Sequence, residues 1–259
     1  MSILVGIDGT GGEIFSGSGR DARYDAEFAN SFVRRICGIS SPNTKYLRGP
    51  RALGGDLLDA VGIGHTFILE RRRAGVDEPI LLVGYSRGAA GVIAIAQWLQ
   101  RDKIDVEAMI LFDCVSRHLR LGSPVQIVPM SADTIPTSVR YAAHFMRSPA
   151  SGSRSSFGNA GTIANEPTVY RQVMFVCTHG GMGGTPWPVP EGQTPEDFIV
   201  EAFPDGKTNV TYAQDAIGAD RVWSYAKPFM IEHGFPPANP MDVSYSLRLQ
   251  KARAHRASQ

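Results

Sequence analysis

The sequence carries one serine between paired glycines, Gly84-Tyr85-Ser86-Arg87-Gly88, directly after the apolar run Ile80-Leu81-Leu82-Val83 and before the apolar stretch Ala89 to Leu99. A serine placed on a sharp strand-to-helix turn projects its hydroxyl for attack on a carbonyl carbon, and the turn closes only if its neighbours are small. The five-residue pattern also arises by chance in loops; the strand before it and the helix after it give it meaning here. A serine hydroxyl is a poor nucleophile near neutral pH and needs an adjacent base. Of the six histidines, His179 is the best placed: it lies in Thr178-His179-Gly180-Gly181-Met182-Gly183-Gly184, past the apolar stretch Arg171 to Cys177. Four glycines there let backbone and imidazole come close to the serine. His65 and His144 fall inside predicted helices, His118 trails a strand by several residues, and His233 and His255 sit near the C-terminus.

An imidazole base needs an acceptor for its second ring N–H. Asp113 ends the apolar run Val106 to Phe112, which follows the helix after Ser86, so it belongs beside the serine at the sheet edge. The plainer alternative is an Asp that caps the next turn, and Asp133 and Asp215 stay open as other acids. The order Ser86, Asp113, His179 is that of the α/β-hydrolases. The developing oxyanion needs two donors. The first expected is the backbone N–H of Arg87; the second comes from Gly9 or Thr10, after the first apolar run Ile3 to Ile7. Removing one such donor costs about 3 kcal/mol of transition-state stabilisation. Asp8 is placed to shape that loop by bonding its own backbone.

The elements that must position these groups alternate. Strands are expected at Ile3 to Ile7, Thr44 to Leu47, Ile80 to Val83, Val106 to Phe112 and Arg171 to Cys177. Tyr24, Phe28, Phe32 and Ile36 recur every four residues and predict one helix ending at Gly38; further helices are expected over Leu57 to Arg73, Ala89 to Leu99 and Val139 to Met146, and Ala226 to Gly234 is expected to belong to a late helix. This alternation predicts an α/β fold, α/β-hydrolase-like, with a mostly parallel central sheet and helices on both faces. In such sheets sites gather at the carboxyl ends of strands, where Asp8, Ser86, Asp113 and His179 all fall. A single domain over residues 1–259 is expected, with its core in 3–184 and C-terminal loops and helices completing it.

Charge and composition exclude several classes. Lys plus Arg total 26 against 25 acids, which gives no excess of positive charge for nucleic acid; the basic run Lys251 to Arg256 reads as a solvated tail. Cys37, Cys114 and Cys177 are too far apart for a zinc or redox motif and read as buried thiols. No apolar run approaches the length of a membrane span, and the N-terminus lacks the features of a signal peptide, so a cytoplasmic site of synthesis is expected. Gly6 to Gly12 has neither the P-loop ending nor the dinucleotide spacing. A metal held by Asp8, Asp113 and His179 finds no support in local ligand spacing, and neither cofactor nor metal is expected.

Several segments together resemble one family, the α/β-hydrolase domains that include bacterial type VI secretion phospholipase effectors. They are Ile7-Asp8-Gly9-Thr10, Val83-Gly84-Tyr85-Ser86-Arg87-Gly88-Ala89, Phe112-Asp113-Cys114-Val115, the stretch from Val139 to Phe157, and Phe175 to Gly184. The resemblance implies Ser86, Asp113 and His179 as a triad acting on a small-molecule or lipid ester, with transient contact at a membrane surface and export by a route independent of a signal peptide. The family pattern has an Asp two residues after the histidine, where this chain has Gly181. That departure motivates a rival reading, a binding protein that keeps the fold without the activity; a small-ester esterase or deacetylase is the nearer rival. Trp187 and its neighbouring prolines read as a surface loop with one packed aromatic, or else as the wall of an acyl site. An imidazole base makes acylation decline as pH falls through about 6.5, whereas a carboxylate base would place the limb near pH 4. The pH dependence of ester cleavage distinguishes them.

Overall fold

The computed structural model describes residues 2–11, 20–38, 41–51, 56–116, 132–201 and 205–236. In chain order the elements are β1 (Ile3–Ile7), α1 (Arg20–Glu27), α2 (Phe32–Cys37), β2 (Thr44–Leu47), α3 (Leu57–Arg73), β3 (Ile80–Tyr85), α4 (Arg87–Arg101) and β4 (Val106–Phe112). They continue with β5 (Thr134–Ile135), β6 (Val139–Arg147), β7 (Ile163–Ala164), β8 (Val169–Phe175), α5 (His179–Met182), β9 (Phe198–Val200), β10 (Lys207–Thr211) and α6 (Tyr212–Glu232).

The six longer strands of the first two-thirds form one sheet in the order β2-β1-β3-β4-β6-β8, with every neighbouring pair parallel. A parallel sheet is covered on both faces, so its strands are apolar on both sides, and the two-residue period sorts them. Ile3, Val5 and Ile7 of β1, Ile80 and Leu82 of β3, and Met109 and Leu111 of β4 face α3 and α4. Leu4, Leu81, Val83, Ala108, Ile110 and Phe112 face the other way, against Phe32, Val33 and Ile36 of α2 and Val222, Trp223, Ala226 and Phe229 of α6. α4 is buried from Gly88 to Ala96, as its nearly all-apolar sequence requires. The three cysteines are buried and free.

Two expectations are corrected and a third is extended. Val139 to Met146 is not a helix but most of β6, paired with β4 and β8. A short apolar run is ambiguous by periodicity, and here two flanking strands offer its backbone partners. His144 is therefore on a strand. The helix expected from Tyr24 to Ile36 is two, because Ser31 leaves helical geometry to cap α2: its Oγ accepts from the N–H of Arg34 at 3.0 Å and donates to Asp8. The late helix expected to take in Ala226 to Gly234 runs from Tyr212 to Glu232, behind a capping box of Thr211 and Gln214. His118, His255 and the run Lys251 to Arg256 lie outside the described residues.

The elbow glycine fixes how closely α4 meets β1. A Cβ on Gly88 would lie 2.2 Å from the carbonyl oxygen of Asp8, backbone that cannot swing away, whereas one on Gly62 in α3 meets nothing. Gly88→Ala is thus expected to cost about 2–3 kcal/mol, and Gly62→Ala to add up to about 1 kcal/mol, both read from urea unfolding midpoints.

Candidate active site

Ser86 follows β3 and starts α4, and the chain reverses direction there in a backbone conformation unfavourable for any residue with a side chain, φ 56° and ψ −129°. Such a conformation costs on the order of 1–3 kcal/mol and persists only if its surroundings hold it. They do: the Ser86 N–H donates to the carbonyl of Phe112 at 2.9 Å, and its carbonyl accepts from Ala89 at 3.1 Å and Val115 at 3.2 Å. Gly84 is required as well, since a Cβ there would lie 2.5 Å from Cα of Ala89.

Ser86, Asp113 and His179 meet. Ser86 Oγ is 2.8 Å from His179 Nε2, and His179 Nδ1 is 2.6 Å from Asp113 Oδ2. The two contacts fix the tautomer: with Nδ1–H donated to a carboxylate, Nε2 carries the lone pair that accepts from the hydroxyl. Asp113 is also held at positive φ, 43°, and has no exposed surface. Burial alone pushes its carboxyl up. His179 and Arg147 outweigh that and hold it below its ordinary value.

Arg147, the last residue of β6, is the group that sequence reading missed. Its Nη1 lies 2.5 Å from Asp113 Oδ2 and its backbone N–H donates to Oδ1 at 3.2 Å. The remaining guanidinium donors reach the carbonyls of Ser153 at 2.9 Å, Arg154 at 2.9 Å and Gly158 at 3.0 Å. A buried cation with every face occupied is a fixed counter-charge, and the planar fork suits arginine rather than lysine. Its only sequence signal is an arginine closing a buried strand next to the one that ends in Asp113.

His179 opens the short helix α5, with Thr178 as its cap, rather than lying in an open loop. Its N–H donates to Ser153 Oγ at 2.8 Å, and that hydroxyl donates to the buried Glu201 at 2.8 Å. Its carbonyl accepts from the Tyr85 hydroxyl at 2.8 Å, and the ring of Phe157 meets the imidazole edge-on at 5.4 Å. The position of Gly181 is not empty of charge: a Cβ there would lie 2.4 Å from Oδ1 of Asp215. The other two acids considered are placed elsewhere. Asp215 bonds the backbone N–H groups of Thr178 and Trp187, and Asp133 accepts from Ile163 through its carbonyl.

After β1, Asp8 does bond its own loop: Oδ1 accepts the N–H of Gly9 at 2.9 Å, while Oδ2 accepts from the hydroxyls of Ser31 and Tyr46. Burial pushes its carboxyl up to about 6, against these hydrogen bonds. The N–H of Gly9 is thereby committed to Asp8. Thr10 Oγ1 accepts from Nε of Arg87 at 2.6 Å, which ties this loop to the first turn of α4.

The remaining described histidines are occupied otherwise. His144 is buried, its Nε2 accepts from the N–H of Cys114 at 3.1 Å, and burial lowers its pKa to about 4. His65 contacts Asp102 at 2.6 Å, and His233 stacks on Tyr141. Beside His179 opens a cavity of about 840 Å³ whose wall includes Thr10, Phe28, Phe32, Tyr85, Arg154 and Trp187, so Trp187 faces this space instead of packing only within a surface loop. Among the described residues no three His, Cys, Asp or Glu side chains converge as a metal site, and no helix is long and apolar enough to cross a membrane.

The parallel sheet, with a strained serine after β3, an acid after β4 and a histidine after β8, is an α/β-hydrolase-type fold. No family model and no curated protein matches the chain. Solved structures similar to it include lipase B of Aspergillus fumigatus, at TM-score 0.40 and 13% identity over 71% of this chain and 49% of that one. Others are the thioesterase domain that cyclises the lipopeptide antibiotic surfactin, at 0.40 and 12% over 70% and 84%, and a Pseudomonas aeruginosa protein, at 0.38 and 14% over 71% and 42%. The chain thus spans less than half of the lipase and of the Pseudomonas protein.

The Asp113–Arg147 pair sets a stability prediction. Arg147→Met leaves a buried carboxylate short of its counter-charge and is expected to cost about 3–5 kcal/mol. Because the folded pKa of Asp113 lies below 3.8, its stabilising contribution is present above the unfolded value and is lost as pH falls through the folded one. The stability difference between wild type and Asp113→Asn should therefore shrink below pH 3.8, as measured by urea unfolding over a pH series.

Proposed function

We propose that this protein is a serine hydrolase that cleaves carboxylic esters through an acyl-enzyme. The observation that carries the reading is the pair of contacts on one imidazole, 2.8 Å to the Ser86 hydroxyl and 2.6 Å to the buried Asp113. Ser86 Oγ attacks the ester carbonyl while His179 Nε2 takes its proton, and Nδ1–H stays donated to Asp113, which stabilises the imidazolium without taking the proton. The N–H groups of Arg87 and Thr10 receive the oxyanion. Collapse of the tetrahedral intermediate breaks the bond to the alcohol oxygen, to which His179 returns the proton. Water, deprotonated by the same nitrogen, then attacks the acyl-enzyme and frees the acid and Ser86. Asp113 suits its part because its charge is held by two cationic or donating partners, so it stays an acceptor throughout the neutral range.

For substrate, the cavity beside His179 supports an ester with an apolar portion laid against Phe28, Phe32 and Trp187. Together with the resemblance of the elbow and histidine segments to type VI secretion phospholipase effectors, this favours lipid or phospholipid esters taken up during contact with a membrane surface. Trp187, part of the cavity wall and partly exposed, suits such contact.

A fluorophosphonate probe is expected to label wild-type protein at Ser86, and Ser86→Ala to lose both label and ester hydrolysis, the latter on the order of 10⁴-fold or more. Labelling at another residue, or hydrolysis surviving in Ser86→Ala, would refute the reading. A p-nitrophenyl ester series from acetyl to palmitoyl then decides the substrate class: a rate optimum at acetyl would replace lipid esters with small ones.

A further inference from the structure

We propose that Asp215, on α6, is a positioning residue for this reaction, one that locks the backbone before the His179 base to the Trp187 wall of the substrate cavity. The inference rests on the reading of Ser86 and His179 given above. Asp215 has no exposed surface. Its Oδ1 accepts the N–H of Thr178 at 2.7 Å, and its Oδ2 accepts the N–H of Trp187 at 2.9 Å. Thr178 precedes His179 and caps α5, accepting from the N–H of Gly181 at 3.1 Å. One carboxylate therefore spans the two ends of the segment 178–187, which carries the base at one end and a cavity wall at the other.

Three features make this a built arrangement. Asp215 stands in the first turn of α6, whose start is fixed by the reciprocal hydrogen bonds of Thr211 and Gln214, so its backbone has little freedom. Position 181 is glycine at the one place where a side chain would strike the carboxylate, 2.4 Å from Cβ to Oδ1. Burying a carboxylate to hold two backbone N–H groups is costly unless both bonds are kept, and a merely solvated helix would place that acid on its outer face. The segment matters because a reacting group displaced by about 1 Å costs on the order of 100-fold in rate.

The test measures the rate and end point of Ser86 labelling by a fluorophosphonate, with kcat and KM for a p-nitrophenyl ester, in wild type, Asp215→Asn, Asp215→Ala, Gly181→Ala and Gly181→Ala/Asp215→Ala. Positioning predicts complete labelling at a rate lowered on the order of 10- to 100-fold, with kcat falling and KM shifting as the Trp187 wall loosens. Gly181→Ala, which displaces the carboxylate but leaves it in the protein, should resemble Asp215→Ala, and the double variant should show little further loss. A lower end point with an unchanged rate constant for the labelled fraction would mean that Asp215 serves stability alone and would overturn the proposal. If the Asp215 variants do not accumulate as folded protein, Gly181→Ala decides: a wild-type rate overturns the proposal, and a slowed rate with a full end point upholds it. Wild-type protein that leaves Ser86 unlabelled would strike the ester-hydrolase reading and this one with it, whereas labelled wild type with unaffected variants would overturn only the role of Asp215.

Discussion

The site depends on keeping one carboxylate charged where no water reaches it. An isolated buried carboxylate would take up a proton rather than pay the desolvation cost, and a neutral Asp113 could not stabilise an imidazolium. Arg147 supplies the compensating charge from the adjacent strand, and its own charge is in turn absorbed by three backbone carbonyls between Ser153 and Gly158. The segment that follows β6 therefore has to fold back under the strand end. Once it does, Ser153 lies where its hydroxyl takes the His179 N–H. The ion pair and the placement of the base are parts of one hydrogen-bonded cluster.

Two of the strained residues, both in the site, are held by the sheet itself. Ser86 and Asp113 both have positive φ without being glycine, and both follow central strands of the sheet. Each is held by a bond to the next strand: Ser86 donates to Phe112, and Asp113 donates to Phe145 at 2.7 Å. A parallel ladder that overruns its regular length by one bond thus tips each residue out of the strand and points its side chain along the sheet edge. Strain of this size survives because the ladders behind it are buried on both faces.

How much of this was readable from the chain differs by residue. The elbow, the acid and the histidine were legible because each combines a residue type with a strand-end position, and strand ends at a parallel sheet converge in space. Arg147 was not, because a lone arginine in Val139 to Arg147 carries no mark of burial, and that stretch reads as readily helical when its flanking strands are unknown. The break at Ser31 was hidden for a related reason. The four-residue spacing of Tyr24, Phe28, Phe32 and Ile36 is kept across it, and Ser31, which caps the second helix, is held by a hydrogen bond to Asp8, 23 residues earlier. The start of α6, by contrast, had a local signal in Thr211 and Gln214 that apolar periodicity alone passes over.

The strand order raises one rival that composition could not dismiss. A parallel sheet running 2-1-3-4 places a crevice between the ends of β1 and β3, the point where doubly wound proteins bind phosphate-bearing ligands, and the loop after β1 is rich in glycine. The residues there argue otherwise. A phosphate cradle needs outward-facing backbone N–H groups and glycines that leave room for the ligand. Here the N–H of Gly9 is taken by Asp8, and the space beside Gly9 and Gly11 is filled by the rings of Tyr85, Phe28 and Tyr24, at 2.4–3.2 Å from where a Cβ would stand. These glycines admit aromatic side chains, which occupy the space a phosphate would need.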